Sequence, residues 1–461
     1  MIMTHTHFIG IGGTGLSAIA KVLLEQGEKV SGSDQQKSPT TENIRKAGAK
    51  VFIGHKAKNI RGADIVVRSS AVKDGNIEVA AAQEAGIPVL KRRDFFKDFL
   101  DERYTIAVAG SHGKTTTTSM ITWILHMLDM HPGFIVGGVV QNLGTNASMG
   151  QSDFFVIEAD EYDYMFWGLT PEIAVVTNVE HDHPDCFPTP ESFEHAFQGF
   201  VDRIAPEGTL VTCLDDPGSK RLFDYALHHG RKVVSYSLGN KEADYRAENL
   251  EPEVGAGFHF EMKRNGEPEA IVSLQIPGKH NVSNALAALV VVDLLGLNLR
   301  EAADALKTFI GSGRRFDEVG QAGGVIVVDD YGHHPTEIRS TLAAARARYP
   351  DRRIWAVWQP HTYSRTQRLL PAFGKAFKDA DEVIVTKVYA ARETQPDDFS
   401  HEAILGSIPQ KAHLILDMDE AATYILENVR AGDLVIVFSA GDAVAISAKV
   451  FTGLIERELA A

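Results

Sequence analysis

Short apolar runs along most of the chain alternate with segments whose apolar positions recur at i, i+3, i+4 and i+7, the spacing of one face of a helix. The first unit reads His7-Phe-Ile-Gly-Ile, then Gly12-Gly-Thr-Gly15, then Leu16, Ile19, Ala20, Leu23 and Leu24 on one helical face. This predicts a strand, a glycine turn and a helix that stops at Gly27. A second unit begins at Tyr104-Thr-Ile-Ala-Val-Ala-Gly110, continues through Ser111-His-Gly-Lys-Thr-Thr-Thr-Thr118, and carries Met120, Trp123, Ile124, Met127 and Leu128 at helical spacing. Within residues 258–275 the period changes to two around Asn265-Gly266, which predicts a hairpin. Strand-like runs return at 325–328, 354–357, 382–385 and 434–438. The alternation predicts an α/β protein with parallel sheets faced by helices. At ~150 residues per domain the chain holds about three. New domains are expected near residue 103 and near Gly311-Ser-Gly313, dividing the chain into 1–102, 103–310 and 311–461.

Composition narrows the function classes. Hydrophobic residues make up 44% and charged residues 23%, close to globular averages. The net charge of −15 repels nucleic acid and anionic lipid, so neither is expected as a partner. A polyanionic ligand must then be met locally by Lys, Arg, backbone N–H groups or a metal. The two cysteines, Cys186 and Cys213, build neither a disulfide framework nor a thiolate metal site. The N-terminus lacks a basic region leading into an apolar stretch, and the apolar run 285–297 contains Asp293 and is too short for a bilayer. The expected location is the cytoplasm.

Gly110-Ser-His-Gly113-Lys114-Thr115 stands where a strand ends and a helix begins. Such a loop aims backbone N–H groups and a positive helix end at an anion, with lysine for phosphate oxygen and threonine for Mg²⁺. Val108 stands where the full phosphate-loop pattern has its first glycine. A triphosphate brings a divalent ion, and two later strand ends offer ligands: Glu158-Ala-Asp160-Glu161 and Asn178-Val-Glu180-His181-Asp182-His183. Glu158 and His183 are the candidates for one ion near Lys114. Taken singly, each such residue reads more simply as a solvated loop group; their joint placement after one phosphate loop points to a site.

Gly10-Ile-Gly12-Gly13-Thr14-Gly15 satisfies G-x-G-x-x-G, and Asp34 follows Gly15 by 19 residues at the next strand end. The pattern suits a diphosphate over a helix N-terminus and an acid near a ribose. NAD and a uridine diphosphate sugar present the same diphosphate, so the loop alone admits an oxidoreductase, and a non-catalytic nucleotide sensor is also open. Ser69 and Ser70 follow another strand and add hydroxyls. One diphosphate site followed by one triphosphate site fits kinases and ligases best. In the third domain, Asp329-Asp-Tyr331-Gly-His333-His334-Pro335 and Gln359-Pro-His361-Thr-Tyr-Ser-Arg365 follow strands. Arg365 suits a carboxylate or phosphate clamp and His333 a proton relay.

Together with Ser31-Gly-Ser-Asp, Pro277-Gly-Lys-His-Asn and Gly313-Arg-Arg-Phe, these segments resemble the ATP-dependent Mur ligases of bacterial cell-wall synthesis over nearly the whole chain. The resemblance implies an N-terminal Rossmann-like domain for the uridine nucleotide. It implies a central P-loop ATPase domain with a parallel sheet plus a small antiparallel element, and a C-terminal Rossmann-like domain that closes over the site. It assigns Gly10, Gly12, Gly13, Thr14, Gly15, Asp34, Ser69 and Ser70 to the UDP-sugar. Gly110, Ser111, His112, Gly113, Lys114, Thr115, Thr116 and Asn178 go to ATP, and Thr115, Glu158 and His183 to Mg²⁺. His280, Asn281 and Asn284 match positions near adenine, Arg315 a nucleotide contact, and Tyr331, His333, His361 and Arg365 a substrate-facing surface. The implied reaction phosphorylates the lactyl carboxylate of UDP-N-acetylmuramate and joins it to L-alanine, with Lys114, Glu158, His183, His333 and Arg365 as the catalytic set. The implied partners are these small molecules, with no obligate protein partner. Two positions depart from that type. Thr362 replaces a second arginine of many members, and Tyr162 is more like the relative that attaches a recycled tripeptide.

Overall fold

The computed structural model describes residues 4–460. In the first sheet, β1 (His5–Ile9), β2 (Lys29–Asp34), β3 (Lys50–Ile53), β4 (Ile65–Arg68) and β5 (Val89–Lys91) lie in the order β3-β2-β1-β4-β5. Every pairing is parallel. The chain winds from β1 out to β3 and crosses back to β4, so the order reverses at β1, whose C-terminal end leads into Gly10. The following helix, Thr14–Glu25, buries Leu16, Ile19, Ala20 and Leu23 as the spacing predicts, and Gly27 lies beyond its end at φ +82°.

The second sheet contains β6 (Tyr104–Ala109), β7 (Gly133–Val140), β8 (Thr145–Ser148), β9 (Phe154–Glu158), β10 (Ile173–Val176), β11 (Thr209–Cys213), β12 (Lys232–Ser237), β13 (Tyr245–Pro252), β14 (Phe258–Arg264) and β15 (Glu267–Leu274). Their order is β15-β14-β13-β12-β11-β10-β6-β9-β7-β8. Pairings from β9 through β6, β10, β11 and β12 are parallel. β6 therefore sits between β9 and β10, which brings the ends of all three side by side. β14 and β15 form the expected hairpin: Asn265 and Gly266 both have positive φ, as a two-residue turn between antiparallel strands requires.

The third sheet runs β16 (Asp317–Ala322), β17 (Val325–Asp330), β21 (Asp433–Phe438), β18 (Arg353–Trp358), β19 (Glu382–Val385), β20 (Lys411–Leu414), and only β16 pairs antiparallel. Ile354, Ala356 and Trp358 enter one apolar cluster while Trp355 and Val357 enter another, so a continuous apolar run is buried on both faces. The chain forms two compact units. One holds the chain up to Ala247 with Met262–Ala270 and Asn284–Leu306; the other holds Glu248–Glu261, Ile271–Ser283 and the chain from Lys307. In the first unit a single apolar cluster contains Phe8 and Ile19 of the first sheet layer together with Phe155, Phe193 and Phe200 of the second. Among the described residues no helix is long and apolar enough to cross a membrane.

Beneath the first sheet lies a buried polar knot. Glu78 is fully buried and accepts from Ser33 Oγ (2.5 Å), Asn59 Nδ2 (2.6 Å) and Lys56 N (3.1 Å), with His7 Nε2 at 3.5 Å. Burial alone would raise its pKa, but these donors outweigh it and pull the carboxyl down to about 2. A folded value below the unfolded 4.5 gives stability that is present above pH 4.5 and lost as pH falls toward 2. Glu78→Gln should therefore lower the melting temperature at pH 7, and its deficit against the parent should shrink as pH falls from 5 to 3. A deficit that stays constant over that range, read by thermal unfolding, contradicts the charged knot.

Candidate active site

The two glycine loops share one design. In the first, Gly10 turns at φ +88°, and the N–H groups of Gly10 and Ile11 donate to Ser33 O at 2.8 and 3.1 Å. Gly12 N donates to Asp34 Oδ2 at 2.9 Å, and a Cβ on Gly12 would lie 2.8 Å from that carboxylate. Asp34 thus shapes the loop as well as standing at its mouth. Ser69 lies beside Gly10, its Cβ 3.1 Å from where a Cβ on that glycine would be. Ser70 turns elsewhere and donates to Asp163 Oδ2 at 2.9 Å. The helix Thr14–Glu25 begins at Gly13 with no side-chain cap.

The second loop is gripped from β10. A Cβ on Gly110 would fall 2.0 Å from Thr177 Oγ1, so only glycine fits, and its φ of +136° agrees. Ser111 N donates to Asn178 O (3.0 Å), and Asn178 closes both backbone groups of His112, accepting from its N–H and donating to its carbonyl at 2.9 Å. Thr177 Oγ1 adds a bond to the same carbonyl at 2.6 Å, and His112 Nε2 faces Glu180 Oε2 at 3.1 Å. Asn178 therefore acts on the loop's backbone. Gly113, at φ +84°, starts the helix Lys114–Met127 without a side-chain cap, and a Cβ there would meet Asn284 Oδ1 at 2.6 Å. By contrast Ser38, Asn76, Thr189, Asp216 and Asp417 cap other helices. In both glycine loops, then, first-turn N–H groups such as those of Thr115 and Thr116 have no capping side chain and suit an external anion.

Beside that helix lies an acid cluster. Lys114 Nζ contacts Glu161 at 2.9 and 3.1 Å and turns back to Gly110 O. Glu161 is 1% exposed and also lies 3.5 Å from His183 Nε2. Burial opposes the lysine's charge, yet Glu161, Asp160 and Glu158 together raise its pKa. Asp160 is likewise held down against burial by Arg92, Lys114 and His183. Glu158 accepts from Thr115 Oγ1 at 2.9 Å and from Gly137 N at 2.6 Å. A hydroxyl and a carboxylate oxygen so close, beside a loop suited to phosphate, form a hard-donor pair that fits Mg²⁺. His183, at φ +53°, contacts Glu161 and Asp182.

The second unit gathers a separate set. Tyr331 lies under Arg314 and Arg315, whose guanidinium carbons are 4.9 and 5.0 Å from its ring centre. His333 Nδ1 is 3.1 Å from Tyr331 O and 3.5 Å from Glu337, and its ring is 5.5 Å from that of His361. His361 Nδ1 meets Arg365 Nη1 at 2.9 Å and stacks on Tyr389. Arg365 is 4% exposed. Thr362 takes φ +63° and donates its N–H to Tyr389 O at 2.9 Å. Pro335 opens its helix as expected, capped by His334. His280 is exposed at the start of the helix Lys279–Leu294. Asn281 is buried and donates to Pro277 O at 2.7 Å.

Three consecutive family descriptions match this chain: "Mur ligase family, catalytic domain" over residues 5–104, "Mur ligase middle domain" over 108–292 and "Mur ligase, glutamate ligase domain" over 314–441. A UDP-N-acetylmuramate--L-alanine ligase of Desulfosudis oleivorans is 42% identical over 97% of this chain and 98% of its own. One from a Roseiflexus species is 43% identical over 95% and 96%. The chain belongs to the Mur ligase family. Among solved structures, the UDP-N-acetylmuramate-alanine ligase of Thermotoga maritima superposes with a TM-score of 0.83 at 29% identity over 99% of both chains. A murein peptide ligase of Psychrobacter arcticus gives 0.72 at 27% identity, covering 98% of this chain and 99% of its own. Both likenesses span the three α/β layers described above.

In the structure of this Mur ligase the motif residues have partners that the linear sequence does not name. Glu161 stood three positions beyond Glu158 in a quoted motif, and it is the acid that holds both Lys114 and His183. Arg314 and Glu337, which stand in the Gly313-Arg-Arg-Phe and Asp329–Glu337 segments, and Tyr389, which stands in no motif, also join the third-sheet set. The close approach at Gly113 generates a direct test. Gly113→Ala must adopt a left-handed conformation, at roughly 1–2 kcal/mol, and displace Asn284. ATP-analogue affinity measured by calorimetry should fall about tenfold or more, with the melting temperature little changed. Parental affinity would contradict the crowding.

Proposed function

We propose that this Mur ligase joins L-alanine to the lactyl carboxylate of UDP-N-acetylmuramate at the expense of ATP, a cytoplasmic step of peptidoglycan synthesis. The observation that carries the reading is the pair of uncapped glycine-loop helices in one compact unit, with Lys114 and its acid cluster at the second. End-to-end likeness to relatives named for this reaction supports the choice of substrates. In this reading residues 1–102 receive the UDP-sugar, 103–310 ATP, and 311–461 the incoming amine.

A carboxylate is a poor acyl donor, so its oxygen first takes the terminal phosphoryl group of ATP and ADP leaves. The amine of L-alanine then attacks the acyl carbon, phosphate departs, and the amine gives up a proton. The first-turn N–H groups after Gly113 and the Lys114 ammonium bind and orient the terminal phosphates. Thr115 and Glu158 would hold Mg²⁺, which when bound neutralises phosphate charge. Gly10 to Gly15 fix the diphosphate of the sugar nucleotide, so positioning supplies much of the rate. Each candidate base stands 3.5 Å from a carboxylate that supports its imidazolium: Glu161 for His183, Glu337 for His333.

A second reading has one specific observation behind it. Tyr162, the residue more like the recycled-tripeptide ligases, donates to Asp185 at 2.8 Å and packs its ring 5.2 Å from His183. The two readings separate on the acceptor. With ATP, Mg²⁺ and UDP-N-acetylmuramate, phosphate release should require L-alanine and should not respond to L-alanyl-γ-D-glutamyl-diaminopimelate. Lys114→Ala should reduce that release by about 100-fold or more while UDP-sugar binding survives. Release driven by the tripeptide alone would favour the second reading, and full activity of the lysine variant would refute the phosphate assignment.

A further inference from the structure

Between the two glycine loops runs a strained turn whose ends are held by the first sheet. Asp163 and Tyr164 are consecutive non-glycine residues in the left-handed region, at φ +55° and +54°. Such a pair persists only where surrounding groups over-determine it. The groups are present. Lys91 Nζ, at the end of β5, contacts both Asp163 oxygens at 2.9 and 3.1 Å, and Ser70 Oγ, just after β4, donates to Asp163 at 2.9 Å. Arg92 Nη2 donates to Asp160 Oδ2 at 3.0 Å. Between these two anchored aspartates lies Glu161, which holds Lys114.

The same anchors reach the first loop. Arg92 Nη1 lies 2.6 Å from where a Cβ on Gly15 would be, so its guanidinium covers the first turn of the uncapped helix. Ser70 adjoins Ser69, which flanks Gly10. Every group named belongs to one compact unit.

We propose that Ser70, Lys91 and Arg92 are positioning residues through which a ligand on the first loop sets the placement of Glu161 and hence of Lys114. A diphosphate on the first loop adds negative charge beside Arg92 and immobilises the Ser69-Ser70 turn. The strained segment is then held more firmly, Glu161 is fixed, and ATP binds to a site already ordered. The inference rests on the assignment of the two loops to UDP-sugar and ATP.

The test uses the full-length protein and a non-hydrolysable ATP analogue, titrated with and without UDP-N-acetylmuramate. In the parent the sugar nucleotide should tighten the analogue by about fivefold or more. Lys91 touches neither loop and its side chain is 39% exposed, so Lys91→Met should fold and bind each ligand alone as the parent does. Its coupling should drop below about twofold, Lys91→Arg should restore it, and Asp163→Asn should reproduce the loss by removing the other partner. A merely structural role would weaken both ligands and leave their ratio unchanged; that pattern, or parental coupling in Lys91→Met, overturns the proposal. A parent that binds both ligands without coupling also overturns it. A parent that binds neither ligand instead defeats the loop assignment on which it rests.

Discussion

The absence of a side chain at Gly110 governs the second site. With Thr177 Oγ1 only 2.0 Å from the position of a Cβ, the loop after β6 lies directly on the segment after β10. Parallel pairing of β6 with β10 makes that contact possible, because neighbouring strands of like direction end side by side at the same edge. Once the backbones touch, Thr177 and Asn178 satisfy the loop's groups at His112, and the loop needs no ligand to hold its shape. Such preorganisation leaves less of the binding energy to be spent on ordering the loop.

That rigidity sets the electrostatics. In the proposed reading a protein of net charge −15 attracts two polyphosphates with uncapped helix starts and one half-buried lysine. Lys114 retains its charge because three carboxylates surround it. In the proposed reading these carboxylates would repel a triphosphate unless the lysine and a divalent ion offset their charge. Glu161 is central to this balance, since it faces the lysine on one side and His183 on the other.

The fold was legible to the extent that it follows from periodicity and glycine placement. The first helix, the hairpin at Asn265-Gly266 and the two loop-to-helix junctions fall where spacing puts them, because each depends on neighbours within a few residues. Several strands were not foreseen, β7, β8 and β13 among them: Gly137 and Gly138 interrupt the apolar run of β7, and β13 follows no clean alternation. The candidate site was legible by segment and less so by partner. Glu158 ends its strand and Lys114 opens its helix, whereas Ser70 bonds Asp163 and Asn178 bonds a backbone, pairings between residues far apart in the chain.

The same limit explains why the anchors of the Asp160–Asp163 turn escape a linear reading. Lys91 and Arg92 stand at the end of a short strand and the start of a helix, in a run of basic residues that reads as a solvated surface. Their meaning comes from parallel strand order, which places the end of β5 beside β4 and beyond it β1 with its glycine loop. A strained pair such as Asp163 and Tyr164 is tolerated where its segment is anchored, and Asp160 and Asp163 are anchored here by Arg92 and Lys91, at the end of β5 and the start of the next helix. In the proposed reading these residues carry the coupling between the two sites without touching either ligand.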